Sequence, residues 1–396
     1  MSTTLNKLEH DYKVNPFIVI WEVTRACALK CLHCRAEAQY KADPRQLTLA
    51  EGKRLIDEIA AMDRPLFVFT GGDPLMRQDL FELARYASEE QGLPVSMTPS
   101  ATPKVTYEAI CKAKEAGLSR WAFSLDGSTA AIHDHFRGTR GSFDQTMKGI
   151  SYLQEQQIPL QVNTTVSRYN VADLPAIAER VKEMGAVLWS VFFLVPTGRG
   201  METDMISPEQ HEAVMMWLCQ IQQIMPYGVK ATEAPHYRRV FLQQQKQQKQ
   251  QKQDQLEQRK HAGEEVAGHN TSVSGSRSGS AGAGASASGG MGKHADMLGR
   301  APKGVNDGDG FVFISHTGDV YPSGFLPIVC GNVREQPLAD IYRYSPIMQQ
   351  LRDKSLLKGK CGICPFKQLC GGSRARAYAL TGDYLESDPY CAYMPG

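Results

Sequence analysis

No apolar run in this 396-residue sequence approaches the roughly 20 residues of a membrane-spanning helix. The opening MSTTLNKLEHDYKVNP is polar and lacks the apolar stretch that directs secretion. A cytoplasmic protein with no membrane span is expected. Excess charge is missing as well: 44 basic residues stand against 42 acidic ones, a net charge of +2. Without a global field there is no general attraction to nucleic acid or an anionic membrane, and neither is expected as a partner. Residues 243–300 contain no aromatic side chain. They run from QQQKQQKQQKQDQLEQRK into a tract rich in Gly, Ser and Ala. So little apolar surface cannot offset the entropy of ordering, and a disordered insertion is expected there.

The remainder has a globular composition, 42% hydrophobic and 22% charged overall. Its length allows two domains, or one large α/β domain with an appendage. Between residues 17 and 200, short β-rich runs alternate with segments of helical period. The runs are FIVIWEV, LFVFT, PVSMTP, RWAFSLD, PLQVNTTV and LWSVFFLVP; the helical segments cover 48–62, 78–91, 106–116, 142–157 and 172–184. Thr48 followed by Glu51 has the pattern of a capping box. Such repeats imply a parallel sheet with right-handed crossovers, curled as a barrel or doubly wound. In a parallel barrel, chemistry sits at the C-terminal ends of the strands. Residues 1–16 read as an N-terminal extension and 201–242 as a helical connection. Residues 301–396 form a cysteine-rich module that opens with a hairpin about HTGD and has a helical segment near 338–354.

The ten cysteines are unevenly placed. In a large intracellular chain, clusters of cysteine point to metal ligation or catalysis rather than to disulfides. Cys27, Cys31 and Cys34 follow the first strand, and Cys361, Cys364, Cys370 and Cys391 lie near the C-terminus. Cys111 and Cys219 fall in helical segments and are expected to pack as small apolar side chains. Cys330 also stands apart. The first group lacks a fourth cysteine. Four thiolates make a closed site, whereas three leave a coordination position for another ligand. On spacing alone, zinc remains an alternative at both groups.

The stretch CALKCLHC, Cys27 to Cys34, resembles the CxxxCxxC signature of the radical S-adenosylmethionine (SAM) enzymes. That resemblance implies a 4Fe–4S cluster on the three cysteines, with SAM chelating the open iron. It also implies reductive cleavage of SAM to a 5′-deoxyadenosyl radical that abstracts a substrate hydrogen. Gly71, Gly72, Asp73 and Pro74 are similar to the family's GGEP segment, with aspartate in place of glutamate. By the same resemblance Ser124, Asp126, Asn163 and Val195 are cofactor-site positions at later strand ends, with Thr165 beside Asn163. Arg137 resembles the arginine that neutralises the SAM carboxylate. The implied fold is α/β, a partial (β/α)6 barrel.

The spacing Cys361-x2-Cys364-x5-Cys370-x20-Cys391 resembles the SPASM extension of these enzymes, which carries auxiliary 4Fe–4S clusters. One auxiliary cluster is expected, because Ser323 stands where a two-cluster extension has a further cysteine, and Cys330 alone does not restore the set. The segments VIWEVTRACALKCLHCRAEA, FFLVPTGRG, EAPHYRRV, FVFISHTGDVYPSGFLP and CGGSRARAYALTGD resemble the haem-biosynthesis branch. This implies a tetrapyrrole substrate, loss of carbon dioxide from a propionate to leave a vinyl group, and a flavodoxin or ferredoxin as low-potential electron donor. The electron left behind suits the auxiliary cluster. Arginine's planar fork matches carboxylates, so Arg199, Arg238, Arg239, Arg374 and Arg376 are candidates for the propionates, with a solvated surface or structural ion pairs as the alternative. His236 or Tyr237 is a candidate for iron or a propionate. Two rival functions stand beside this one: modification of a peptide or protein side chain, and non-catalytic electron transfer. An electron carrier has no need of GGDP, Arg137 or an open iron.

Overall fold

The structure, a computed structural model, describes residues 11–267 and 304–396. Residues 1–10 of the expected extension and 268–300 of the expected insertion lie outside the described residues. Strands β1 (Ile18–Glu22), β2 (Leu66–Thr70), β3 (Val95–Met97), β4 (Arg120–Ser124), β5 (Leu160–Val166) and β6 (Leu188–Phe193) each fall in one of the expected apolar runs. They pair in parallel in chain order. Helices α1 (Leu49–Ala60), α2 (Leu80–Arg85), α3 (Tyr107–Glu115), α4 (Ala130–Arg137), α5 (Ser142–Glu155) and α6 (Leu174–Glu183) connect them. The capping box forms: the Glu51 carboxylate accepts from the Thr48 N–H at 2.7 Å, and the Thr48 hydroxyl accepts from the Glu51 N–H. Cys219 is buried in the core as expected, while Cys111 on α3 is half-buried.

Helix α7 (Pro208–Ile224) leads into β7 (Gly228–Thr232), which pairs in parallel with β6. The stretch 201–242 is therefore not wholly helical; it contributes another parallel strand, half-buried except for Val229. Helix α8 (His236–Ala267) then runs through the Gln/Lys tract. The expectation of disorder is corrected for 243–267. Gln, Lys and Glu lose little side-chain freedom in a helix, and the first turns of α8 are anchored by buried His236, Arg239 and Val240.

Strands β8 (Phe311–Ile314) and β9 (Asp319–Tyr321) form the expected hairpin, and β10 (Gly331–Asn332) follows β9. Strand β8 also pairs in parallel with β1. The C-terminal module thus continues the barrel sheet, giving a mixed sheet in the order β10-β9-β8-β1-β2-β3-β4-β5-β6-β7. Helices α9 (Leu338–Tyr344), α10 (Pro346–Arg352), α11 (Gly359–Ile363) and α12 (Arg374–Thr381) complete the chain. Outward-facing Val19, Trp21, Phe69, Trp121, Val162 and Trp189 pack into one apolar core. Alternate residues point to the other face, because side chains alternate along a strand. There Ser124, Asn163, Ser190 and Lys230 stand side by side across β4 to β7. A polar row on the inner face is what a site requires.

Candidate active site

The three-cysteine loop leaves the C-terminal end of β1 and closes on itself. The Cys27 N–H donates to the Gln39 carbonyl at 2.7 Å, and the Gln39 N–H donates to the Arg25 carbonyl at 3.0 Å. Cys27 and Cys31 are buried, Cys34 half-buried, with Leu29 and Ala38 packed among them. Neighbouring segments grip the loop through backbone. The Leu32 N–H donates to the Phe136 carbonyl at the end of α4, and the Arg199 N–H donates to the Cys34 carbonyl. Gly138 and Gly198 make those approaches possible. Each has φ of +60°, and a Cβ would lie 2.2 Å from the Lys30 carbonyl oxygen in one case and 2.5 Å from that of Cys34 in the other. Only glycine fits both the left-handed backbone and the close approach.

Gly71 and Gly72 follow β2 and press against the start of the loop. Cβ atoms there would lie 2.5 Å from the Thr24 oxygen and 2.6 Å from the Ala26 oxygen. The Gly72 and Asp73 N–H groups donate to the carbonyls of Thr24 and Ala26. Asp73 is fully buried and caps the turn that begins at Pro74, accepting from the Leu75 N–H at 3.2 Å and from the Thr102 hydroxyl at 2.7 Å. Burial pushes its carboxyl up to about 6 against those hydrogen bonds. The aspartate thus works inside the turn.

Ser124 ends β4 on the inner face. Asp126 just beyond it is buried; it accepts from the Thr165 N–H at 2.7 Å and lies 3.3 Å from Arg137 Nη1. Arg137 ends α4 with Nη1 also 3.5 Å from His33 Nε2, within the cysteine loop. Burial pushes the Cys27 and Cys31 thiols up, and the Arg137 charge acts in the opposite direction on both. Desolvated soft thiols facing a guanidinium suit an iron–sulfur cluster, whose ligands must be thiolate. Asn163 accepts from Gln161 Nε2 at 2.8 Å. Val195 is buried against Leu326, Leu351 and Ala375 of the C-terminal module.

The four C-terminal cysteines line a single cleft with about 350 Å³ of empty space, open in part to solvent. Among the described residues no three His, Cys, Asp or Glu side chains gather around a point as ligands of one ion. Here the sulfurs border a space, which suits a cluster. Around it is a buried ionic set. Arg374 Nη2 lies 3.7 Å from Cys361 Sγ, and Asp388 lies 3.2 Å from His236 Nε2 and 3.5 Å from Arg376 Nε. Burial alone would raise the Asp388 carboxyl, but Arg376 and His236 hold it well below the carboxylate range. His236 opposes the effect of burial on Cys391, leaving that thiol lowered. Cys330 is outside the cleft, its thiol donating to the Ile328 carbonyl. Ser323 is buried and accepts from the Phe325 N–H.

The arginines expected at substrate carboxylates each have partners within the protein. Arg199 Nε donates to the Cys31 carbonyl at 2.9 Å. Arg238 donates to the carbonyls of Leu369 and Val305. Arg239 makes a two-pronged pair with Glu212 at 2.7 and 2.5 Å. Arg374 donates to the carbonyls of Tyr384 and Glu386, and Arg376 to that of Glu233. His236 belongs to the Asp388 set, and the Tyr237 hydroxyl donates to Gln222. Most of their donors are directed at buried carbonyls and carboxylates, which would otherwise go unsatisfied. Arg199 Nη2 is buried with no hydrogen-bond partner among the described residues. One further residue had no motif to mark it. Glu22, at the inner-face end of β1, lies 2.9 Å from Arg25, 3.1 Å from Arg35 and 3.1 Å from His316 of the β8–β9 turn. A lone carboxylate ending an apolar strand was the available signal.

The chain is similar to known proteins in sequence and in fold. The model of the radical SAM superfamily matches residues 21–181, and that of the SPASM iron–sulfur cluster-binding domain matches 307–365. The AdoMet-dependent heme synthase of Methanosarcina barkeri is 40% identical over 96% of this chain and 97% of its own length. That of Nitratidesulfovibrio vulgaris is 39% identical, over 96% and 92%. In fold the chain is similar to Streptococcus suis SuiB bound to S-adenosylmethionine, with a TM-score of 0.66 at 14% identity, covering 96% of this chain and 78% of that one. With soft-ligand sites at the strand ends and in the C-terminal cleft, the chain belongs to the radical SAM superfamily, as a SAM- and iron–sulfur-dependent enzyme of its SPASM-bearing, haem-biosynthesis branch.

Proposed function

We propose that this enzyme acts on a tetrapyrrole in haem formation, removing carbon dioxide from a propionate side chain to leave a vinyl group. The observation that carries this reading is identity of 40% along nearly the whole of both chains to a heme synthase that is AdoMet-dependent. Cys27, Cys31 and Cys34 would hold the cluster that binds SAM; Cys361, Cys364, Cys370 and Cys391 would hold the auxiliary one. When bound, these groups supply one-electron chemistry, namely hydrogen abstraction and removal of the electron left behind. The chain's own residues supply positioning. Arg137, fixed by Asp126, presents a cation beside the cysteine loop for the SAM carboxylate. Gly71, Gly72, Ser124 and Asn163 at neighbouring strand ends would contact the cofactor, with Asp73, Pro74 and Val195 supporting them from buried positions. A flavodoxin or ferredoxin is the proposed electron donor. Among the described residues no helix is long and apolar enough to cross a membrane.

Anaerobically reconstituted enzyme, given SAM, a low-potential reductant and iron-coproporphyrin III, should yield 5′-deoxyadenosine together with a porphyrin lighter by carbon dioxide and hydrogen. Mass spectrometry follows both. Deoxyadenosine with unchanged porphyrin would move the substrate to another tetrapyrrole or to a peptide side chain.

A further inference from the structure

Strand β7 brings to the inner face a cation that none of the motifs accounts for. Lys230 stands beside Ser190, which stands beside Asn163 and then Ser124. Lys230 is half-buried, and among the described residues its side-chain ammonium has neither a hydrogen-bond nor an ion-pair partner. The two charges that act on it are of its own sign. Burial, together with the fields of Arg120 and Arg238, pushes its ammonium down to about 8. Arg120 on β4 is buried and reaches the Gln161 side-chain oxygen at 3.5 Å. Arg238 enters from α8, where it donates to the Leu369 and Val305 carbonyls and has Cys370 and Asp309 acting on its charge. An ammonium half-buried without a counter-charge is unfavourable until an anion joins it.

We infer that Lys230 determines substrate specificity by binding a carboxylate of the substrate on the inner face, within the positive field of Arg120 and Arg238. The inference rests on the tetrapyrrole reading: a macrocycle with several carboxylates can react at one while another anchors it. Lysine suits this role because its ammonium is a compact charge on a flexible stem, able to reach a carboxylate from an edge strand. Ser124 and Asn163 lie at the other end of the same row. An anchored carboxylate at Lys230 would therefore place the macrocycle across the barrel from the cofactor positions.

The test is a titration of anaerobically reconstituted holoenzyme with coproporphyrin III and with its fully esterified form, read by porphyrin absorbance. Wild-type enzyme should prefer the free acid. Lys230→Met should weaken acid binding by about tenfold, the loss expected for one charged hydrogen bond, and leave ester binding unchanged. Lys230→Arg should restore the preference. Iron content and melting temperature of each variant report whether it is folded and loaded. Equal loss for acid and ester would make Lys230 a structural residue and overturn the inference. So would unchanged acid binding, or a loss of SAM affinity in its place, which would identify the anion as the cofactor's own carboxylate. Wild-type enzyme that binds neither porphyrin overturns the tetrapyrrole reading and this inference with it.

Discussion

Around Cys27, Cys31 and Cys34 the grip on the loop is mostly backbone: carbonyls of the loop meet N–H groups from the ends of other strands, through glycines that allow the approach. Around Cys361, Cys364, Cys370 and Cys391 the neighbours are buried, ionised side chains, Arg374, Arg376, His236 and Asp388. The difference follows from what each site must do. A loop that offers three thiols to a cluster with an exchangeable ligand needs rigidity without surplus charge, so that Arg137 remains the dominant cation for an incoming carboxylate. Where four thiols close the site, no substrate position has to be kept clear, and fixed charges can surround it. Even at the first site ionic pairing is used at the base of the loop. There Glu22, held down to about 2 chiefly by Arg35 against the effect of burial, ties Arg25 and Arg35 to His316.

The largest expected effect breaks the ionic side of the comparison. Asp388→Asn removes the counter-charge of both Arg376 and His236 in a fully buried setting, and breaking such a set costs about 3–5 kcal/mol. Melting temperature should fall steeply. The auxiliary cluster should be lost, with the cluster at the three-cysteine loop retained, as read by iron content and electron paramagnetic resonance of the reduced protein. Retention of both clusters would mean that the thiols hold the module without the charges. Next comes the backbone side. Gly198→Ala puts a Cβ at φ +60° and 2.5 Å from the Cys34 oxygen. Left-handed backbone and overpacking together cost about 2–4 kcal/mol. Here the pattern should reverse: the SAM-binding cluster is lost and the auxiliary one kept. If both variants lose the same cluster, the two sites are not independent.

Much of this contrast could be read from residue order, and the parts that could not have physical reasons. Strands β1 to β6 were legible because each is an apolar run buried on at least one face. Strand β7 was not, since GVKAT is an edge strand with Lys230 on the inner face and little apolar signal. Helix α4 escaped because AAIHDHFR is short and is ended by Gly138 against the cysteine loop. The cysteine groups were legible because ligand spacing is local. The protein partners of the arginines were not: Arg238 finds its carbonyls at Val305 and Leu369, and Arg376 finds Glu233, across distances that no local pattern encodes. The Gln/Lys tract misled because composition alone does not register that α8 is already started by a packed first turn.

Two buried aspartates sharpen the comparison with the smallest expected effect. Asp388 faces two cations and stays ionised, whereas Asp73 has hydrogen bonds from Thr102 and Leu75 but no ion pair among the described residues, and burial pushes it up to about 6. A carboxyl raised on folding from 3.8 binds its proton more tightly in the folded state. Its stabilising contribution is therefore greatest below 3.8, declines as pH rises toward about 6, and is level above that. Between pH 5 and pH 6 the wild-type protein should lose about 1 kcal/mol relative to Asp73→Asn. Anaerobic denaturant unfolding of the pair at those two pH values and at pH 7.5 measures it. Parallel stabilities would mean that the hydrogen bonds alone keep Asp73 ionised. In that case the open site would tolerate a bare buried charge next to its cysteine loop, and the distinction drawn between backbone and ionic support would narrow to the cysteines themselves.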